Sequence, residues 1–296
     1  MAARQMSAGR WMLIFLLLML SAVGVHAQQR YLANGLVLSV DRSRQTMLVS
    51  CQEIRGFMGA MVMSFSVPDT KSLDPLTRGA LIEFTLVVNK DSSHAENVRV
   101  RGYDSAEREP SKARRLQGFE EALRGPAHRL AVGQAVPDFT LTDQQQRTTR
   151  FRQFAGKVVA LNFVYTRCAL PEYCYRSSNN FGVLQKQFQE RLGKDLVLLT
   201  VTFDPVHDQP ETLRNYAKTW KADSENWRFL TGNAPDVQRV CDLFGVNFVP
   251  DEGLFVHSLH TAIIGRDGKL VANLEGNEFT AQQFADLLKT VLDPAQ

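Results

Sequence analysis

Three regimes of apolar spacing divide this chain. Residues 11–25 form an apolar run. Between residues 34 and 101 the spacing is two, the period of a strand whose side chains alternate between faces. Residues 35–41 alternate, Arg42-Ser43-Arg44 turns the chain, and residues 45–51 alternate again with Met47, Val49 and Cys51 on one face. Residues 60–67 place Met61, Met63, Phe65 and Val67 on a common face, and residues 81–88 and 96–101 supply two more strands. Five short strands in so short a stretch predict a small all-β barrel, OB-like in kind.

The third regime begins at Gly133. Residues 157–164 are a continuous apolar run, as a strand covered on both faces requires. A cysteine-bearing loop follows, then a helix over 177–192, a buried strand over 195–203 and a helix over 209–220. A short strand over 227–230 precedes a helix over 235–244 with Pro235 in its first turn. Residues 247–256 read as an open loop. Strands over 261–264 and 269–274 flank the turn Arg266-Asp267-Gly268, and Thr280 caps a last helix. That order, with a cysteine directly after the first long buried strand, predicts an α/β thioredoxin-like fold. The chain therefore reads as multidomain: a signal peptide (1–27), a barrel (31–102), a charged linker (103–131) carrying one short helix at 113–123, and a thioredoxin-like domain (132–296).

Arg4 and Arg10 precede the apolar run, and Val25-His26-Ala27 resembles a signal-peptide cleavage site. The run is shorter than the roughly twenty residues a membrane helix needs, so the protein is expected to be exported, periplasmic, with an uncleaved membrane anchor as the lesser alternative. Removing residues 1–27 takes away two arginines and no acid, which lowers the formal charge from +3 to +1. So balanced a chain has no electrostatic footprint for nucleic acid.

Outside residues 1–27 every methionine lies at Met47, Met58, Met61 or Met63, with Cys51 among them. Methionine used as a core filler would be scattered; thioether and thiolate gathered in one segment point to a soft metal such as Cu(I). The competing reading is a methionine-rich strand packed in the barrel core. Cys168 and Cys174 are spaced C-x5-C. Residues six apart on one helix diverge, so Cys168 belongs in the loop, with Leu170-Pro171 turning the chain and Cys174 near the helix start. There the helix dipole is expected to lower its pKa. The pair can be redox-active or hold a soft metal. His257 is the preferred third ligand and His260 its competitor. Cys241, at helical spacing with Val237 and Phe244, reads as core, while His94, His128 and His207 read as solvated.

Pro137-Asp138-Phe139, Tyr165-Thr166-Arg167-Cys168, Phe203-Asp204-Pro205 and His257-Ser258 followed by Asp267-Gly268 resemble the Sco/SenC family of copper-binding thioredoxin-like proteins, over about 133–292. The resemblance implies copper bound by Cys168, Cys174 and His257, with Asp204 as a nearby acidic residue that orients ligands. The common family spacing is C-x3-C followed by Pro; here two more residues intervene and Tyr175 follows, as in a longer variant found among relatives. Residues 54–63 resemble the methionine-rich segment of the CusF-like periplasmic copper-binding domain, and the Leu76-x-x-Gly79 turn fits it too. Met61 and Met63 match firmly, Met47 and Met58 loosely. Cys51 stands where that family usually has His, and Gly59 where it often has Pro.

Together these resemblances imply a metallochaperone that delivers copper to the dinuclear site of a respiratory cytochrome oxidase, or to another periplasmic copper protein. The linker would raise the effective concentration of one domain at the other. The rival reading is a thiol–disulfide reductase acting on oxidase cysteines; a copper or redox sensor, and a peroxidase using Thr166 and Arg167, stand behind it.

Overall fold

The computed structural model describes residues 28–90, 92–101 and 129–294. The expected signal peptide, nearly all of the expected linker, and His128 lie outside them. Among the described residues no helix is long and apolar enough to cross a membrane.

Five strands, β1 (Gln29–Asp41), β2 (Thr46–Cys51), β3 (Met61–Ser66), β4 (Leu81–Val88) and β5 (Ser93–Val100), close in the order β1-β2-β3-β5-β4. β1 starts earlier than its alternation suggested. Its first half pairs with β4 and its second half with β2, so one long strand serves both neighbours. Val37, Met47, Val49, Phe65 and Phe84 fill the barrel interior.

The second unit is a seven-stranded sheet in the order β14-β13-β8-β9-β10-β6-β7. It comprises β6 (Thr140–Asp143), β7 (Thr148–Arg150), β8 (Val158–Val164), β9 (Leu196–Thr202), β10 (Trp227–Thr231), β13 (His260–Ile264) and β14 (Leu270–Glu275). The three central strands are parallel. Every residue of β8 and β9 is buried because both sheet faces are covered. One face packs on α3 (Ala234–Phe244); the other packs on α1 (Arg176–Gln187), α2 (Pro210–Thr219) and α4 (Ala281–Leu292). Pro235 does sit in the first turn of α3, and Gly245 ends that helix at φ 78°, a left-handed position suited to glycine. Cys241 is fully buried in this core.

Two expectations need correction. The expected open loop at 247–256 is a separate hairpin, β11 (Phe248–Asp251) with β12 (Leu254–His257). Its turn is Glu252-Gly253, both at positive φ. The helix expected to reach residue 192 stops at Gln187, where Phe188 leaves helical geometry and turns into the core.

The barrel is packed directly on the second unit. Leu36 and Leu38 point out of the barrel and are buried in the same cluster as Phe284 and Leu288 of α4 and Ala272 and Leu274 of β14. Ser50 Oγ donates to Asp286 Oδ2 at 2.8 Å, Gln283 Nε2 donates to Ser50 O at 3.0 Å, and Arg101 pairs with Glu278 at 3.3 Å. A Cβ on Gly79 would lie 3.1 Å from Leu274 and 3.2 Å from Ala272, so the turn carrying it must be smooth to seat on β14.

Candidate metal centre

Three candidate ligands converge beyond the C-terminal end of β8. Cys168 follows the strand in a loop. Cys174 sits in the wide turn Pro171–Tyr175 that leads into α1. His257 is the last residue of β12, paired with Phe248 across the hairpin. The two sulfurs and one imidazole nitrogen all lie within 4.8 Å of one another, and Cys174 Sγ stands 4.0 Å from His257 Nε2. All four cysteines of the chain are free thiols.

His257 Nδ1 lies 2.9 Å from the carbonyl oxygen of Ser258, which can only accept, so the Nδ1 proton is fixed there and Nε2 presents its lone pair to the sulfurs. Tyr165, Tyr173 and Phe203 surround the ring with their own, holding its plane. His260, the competitor, is buried on β13 beside Asn273 and takes no part in the cluster.

The two thiols are not equivalent. Hydrogen bonding from Cys174 outweighs partial burial and pulls Cys168 well below an ordinary thiol. Cys174 is fully buried, and that burial, followed by the neighbouring Cys168 charge, pushes it well above the ordinary value. The expectation that its place at a helix start would lower its pKa is therefore reversed: desolvation exceeds the dipole. Cys168 is the thiolate and Cys174 the donor beside it.

A carboxylate that the sequence reading did not single out anchors the loop. Asp208 is fully buried and accepts from Thr166 N at 3.0 Å, Thr166 Oγ1 at 2.5 Å and Thr202 Oγ1 at 2.5 Å, which fixes the chain two residues before Cys168. The clue was its place four residues after Asp204 in a loop that follows a buried strand. Asp204 itself is buried and accepts from Arg167 at 2.7 Å and His207 at 2.8 Å. Burial works against its charge, but those two donors more than offset it and hold the carboxyl below the usual range. Arg167 also donates to Gly253 O at 2.9 Å, tying the cysteine loop to the hairpin that carries His257. Thr166 and Arg167 are thus occupied in holding the loop. His207 and His94, expected to be solvated, pair with Asp204 and with Glu96.

In the barrel, Cys51 lies directly opposite Met61, and Val49 opposite Met63. Cys51 is buried, and desolvation pushes its thiol up to about 12. Met61 is 51% exposed, Met63 and Met58 are half-buried, and Met47 is wholly within the core. Cys51, Met61 and Met63 therefore share one end of the barrel, while Met47 is a packing residue.

A family model described as SCO1/SenC matches residues 129–293. A protein of Stutzerimonas stutzeri named for copper binding is 30% identical over 141 residues, covering 46% of this chain and 67% of its own. The SCO1 protein homolog of Bacillus subtilis is 25% identical over 149 residues, covering 49% and 76%. The structure of Arabidopsis thaliana ScoI with copper bound is 20% identical, with a TM-score of 0.48, over 56% of this chain and 100% of that one.

Proposed function

From the premise that this chain belongs to the SCO1/SenC family, its model spanning residues 129–293, we propose that it is an exported copper carrier. Cys168, Cys174 and His257 take up copper and deliver it to the dinuclear copper site of a respiratory oxidase. The observation that carries the reading is the convergence of two sulfurs and a correctly oriented imidazole nitrogen within 4.8 Å. That donor set suits copper, since thiolate and imidazole are soft to borderline ligands. Three ligands leave the ion under-coordinated, so an acceptor can add a ligand before the carrier loses one. Deprotonating Cys174 completes the set, and uptake releases its proton.

The barrel is a second copper site in this proposal, CusF-like and OB-like, binding Cu(I) through Met61 and Met63 with Cys51 as the third sulfur. Cross-strand pairing of Cys51 with Met61 supports it.

A second reading is favoured by the asymmetry of the thiols. A stabilised thiolate at Cys168 beside a buried, protonated Cys174 is also the arrangement of a thiol–disulfide reductase, which needs an attacking thiolate and a resolving thiol. His257 separates the two. The full chain should bind two Cu(I), falling to one in Cys168→Ser and in the double variant Met61→Leu, Met63→Leu. His257→Ala should impair oxidase copper loading in cells nearly as badly as Cys168→Ser while leaving thiol–disulfide exchange of the purified protein largely intact. Oxidase assembly that survives without His257 but fails without either cysteine would establish the reductase instead.

A further inference from the structure

The barrel docks at the same end of the sheet as the cysteine pair. β13 is antiparallel to both β8 and β14, so β8 and β14 run in the same direction. α1 follows β8 through the cysteine turn and α4 follows β14, which places both helix starts at one end. The segment between β14 and α4 links the two sites physically. Asn277 Nδ2 donates to the carbonyl of Glu172 inside the cysteine turn, and Arg176 reaches the carbonyl of Phe279 at 3.4 Å. Three residues past its Thr280 cap, α4 presents Gln283 and then Asp286, which hold Ser50 next to Cys51.

Between these parts lies a cavity of about 510 Å³. Cys51 and Met61 wall it from the barrel, Arg176 from the start of α1, and Thr280, Gln282 and Asp286 from α4. Met61, more exposed than Cys51 or Met63, opens into it rather than onto a remote face. Arg176, two residues beyond Cys174, forms the wall on the cysteine side.

We propose that Cu(I) moves within one molecule from Cys51, Met61 and Met63 to Cys168, Cys174 and His257 by way of this cavity, entering past Met61 and leaving past Arg176 toward the cysteine turn, whose ligands stand beyond the cavity wall. The inference rests on the two-site reading above. Copper stays Cu(I) throughout and no oxidant or reductant is consumed. Bonds to the sulfurs of Cys51, Met61 and Met63 break as bonds to the sulfurs of Cys168 and Cys174 and to His257 Nε2 form. The proton that leaves Cys174 balances the one that returns to Cys51. Because a buried polar contact and a shared apolar core fix the two units against each other, geometry rather than a swinging tether sets the local concentration of one site at the other.

The test uses the full chain with Cys168 and Cys174 first oxidised to a disulfide, so that one equivalent of Cu(I) occupies the barrel. Under anaerobic conditions a phosphine then reduces the disulfide. Protection of the reactive Cys168 from iodoacetamide as copper arrives is followed by mass spectrometry. The expected transfer is first order, with a rate independent of protein concentration. Gln282→Trp, an exposed position of α4 on the cavity wall, should leave two Cu(I) bound per chain at equilibrium and slow transfer at least about tenfold, since the path must then run through solution. A rate in the unsubstituted protein that rises in proportion to protein concentration overturns the passage but leaves both copper sites standing, as does an unchanged rate in folded Gln282→Trp. Absence of Cu(I) binding while the cysteines are oxidised overturns the passage and the barrel site together.

Discussion

Replacing Leu38 by Ala tests whether the barrel and the sheet stand or fall together. Leu38 is 1% exposed, yet its side chain lies on the outside of the barrel, in the cluster that holds Trp227, Phe284 and Leu288. Truncating a leucine so buried removes its transfer energy and leaves a cavity, about 3 kcal/mol in all. With a urea m-value of roughly 3 kcal/mol/M for a chain of this size, the midpoint should fall by about 1 M. Tryptophan fluorescence is the appropriate probe, because the described tryptophans, Trp220 and Trp227, both belong to the second unit and Trp227 is fully buried there. The barrel contains none. A barrel that merely hangs on a linker would lose its own structure early and leave the tryptophan transition where it was. An unmoved tryptophan midpoint in Leu38→Ala would refute the shared core.

Two further outcomes follow from titratable groups. Cys168 should be the first cysteine alkylated by iodoacetamide and should remain reactive at mildly acidic pH, where Cys174, Cys51 and Cys241 are protected by burial, as mass spectrometry across a pH series would read. Burial first, and then the charge of Arg129, lower the pKa of His260 from 6.5 to about 4 despite its contact with Asn273. Between those pH values the unfolded chain holds a proton that the native protein refuses. Stability should therefore fall as pH drops through that interval, by roughly 3 kcal/mol, and level off below it. Chemical denaturation at a series of pH values would show the slope, and His260→Gln should flatten it.

Much of the cysteine site was legible because its signals are local. A cysteine straight after a buried apolar strand, a proline turn and a second cysteine at a helix start need only chain geometry to be placed. The choice between His257 and His260 needed the hairpin. That hairpin was hidden because Pro250, Asp251 and Glu252 break any alternation, and its pairing depends on Phe248 and Phe255 packing on Phe203. The protonation of Cys174 was misread for a related reason: position along a helix can be read from sequence, whereas depth of burial depends on distant segments. The outer face of the barrel shows the same limit. Leu36, Val37 and Leu38 are consecutive apolar residues, a pattern that fits a strand covered on both sides, but only the folded chain shows that β14 and α4 provide the second cover.

The separate hairpin gives the three candidate ligands unequal tenure. Cys168 and Cys174 follow the fully buried central strand β8 and lead into the helix packed on the sheet. Among the described residues His257 stands on two short strands that form a sheet of their own, held to the rest by contacts that include aromatic packing and the Arg167 guanidinium, which also grips the cysteine loop. A two-stranded hairpin alone is marginal in water, so local opening can withdraw the imidazole while both sulfurs stay in place. In the proposed copper site, affinity and lifetime would thereby be set by different parts of the molecule: the sulfur pair would decide how tightly an ion is held, and the hairpin how soon it could be surrendered.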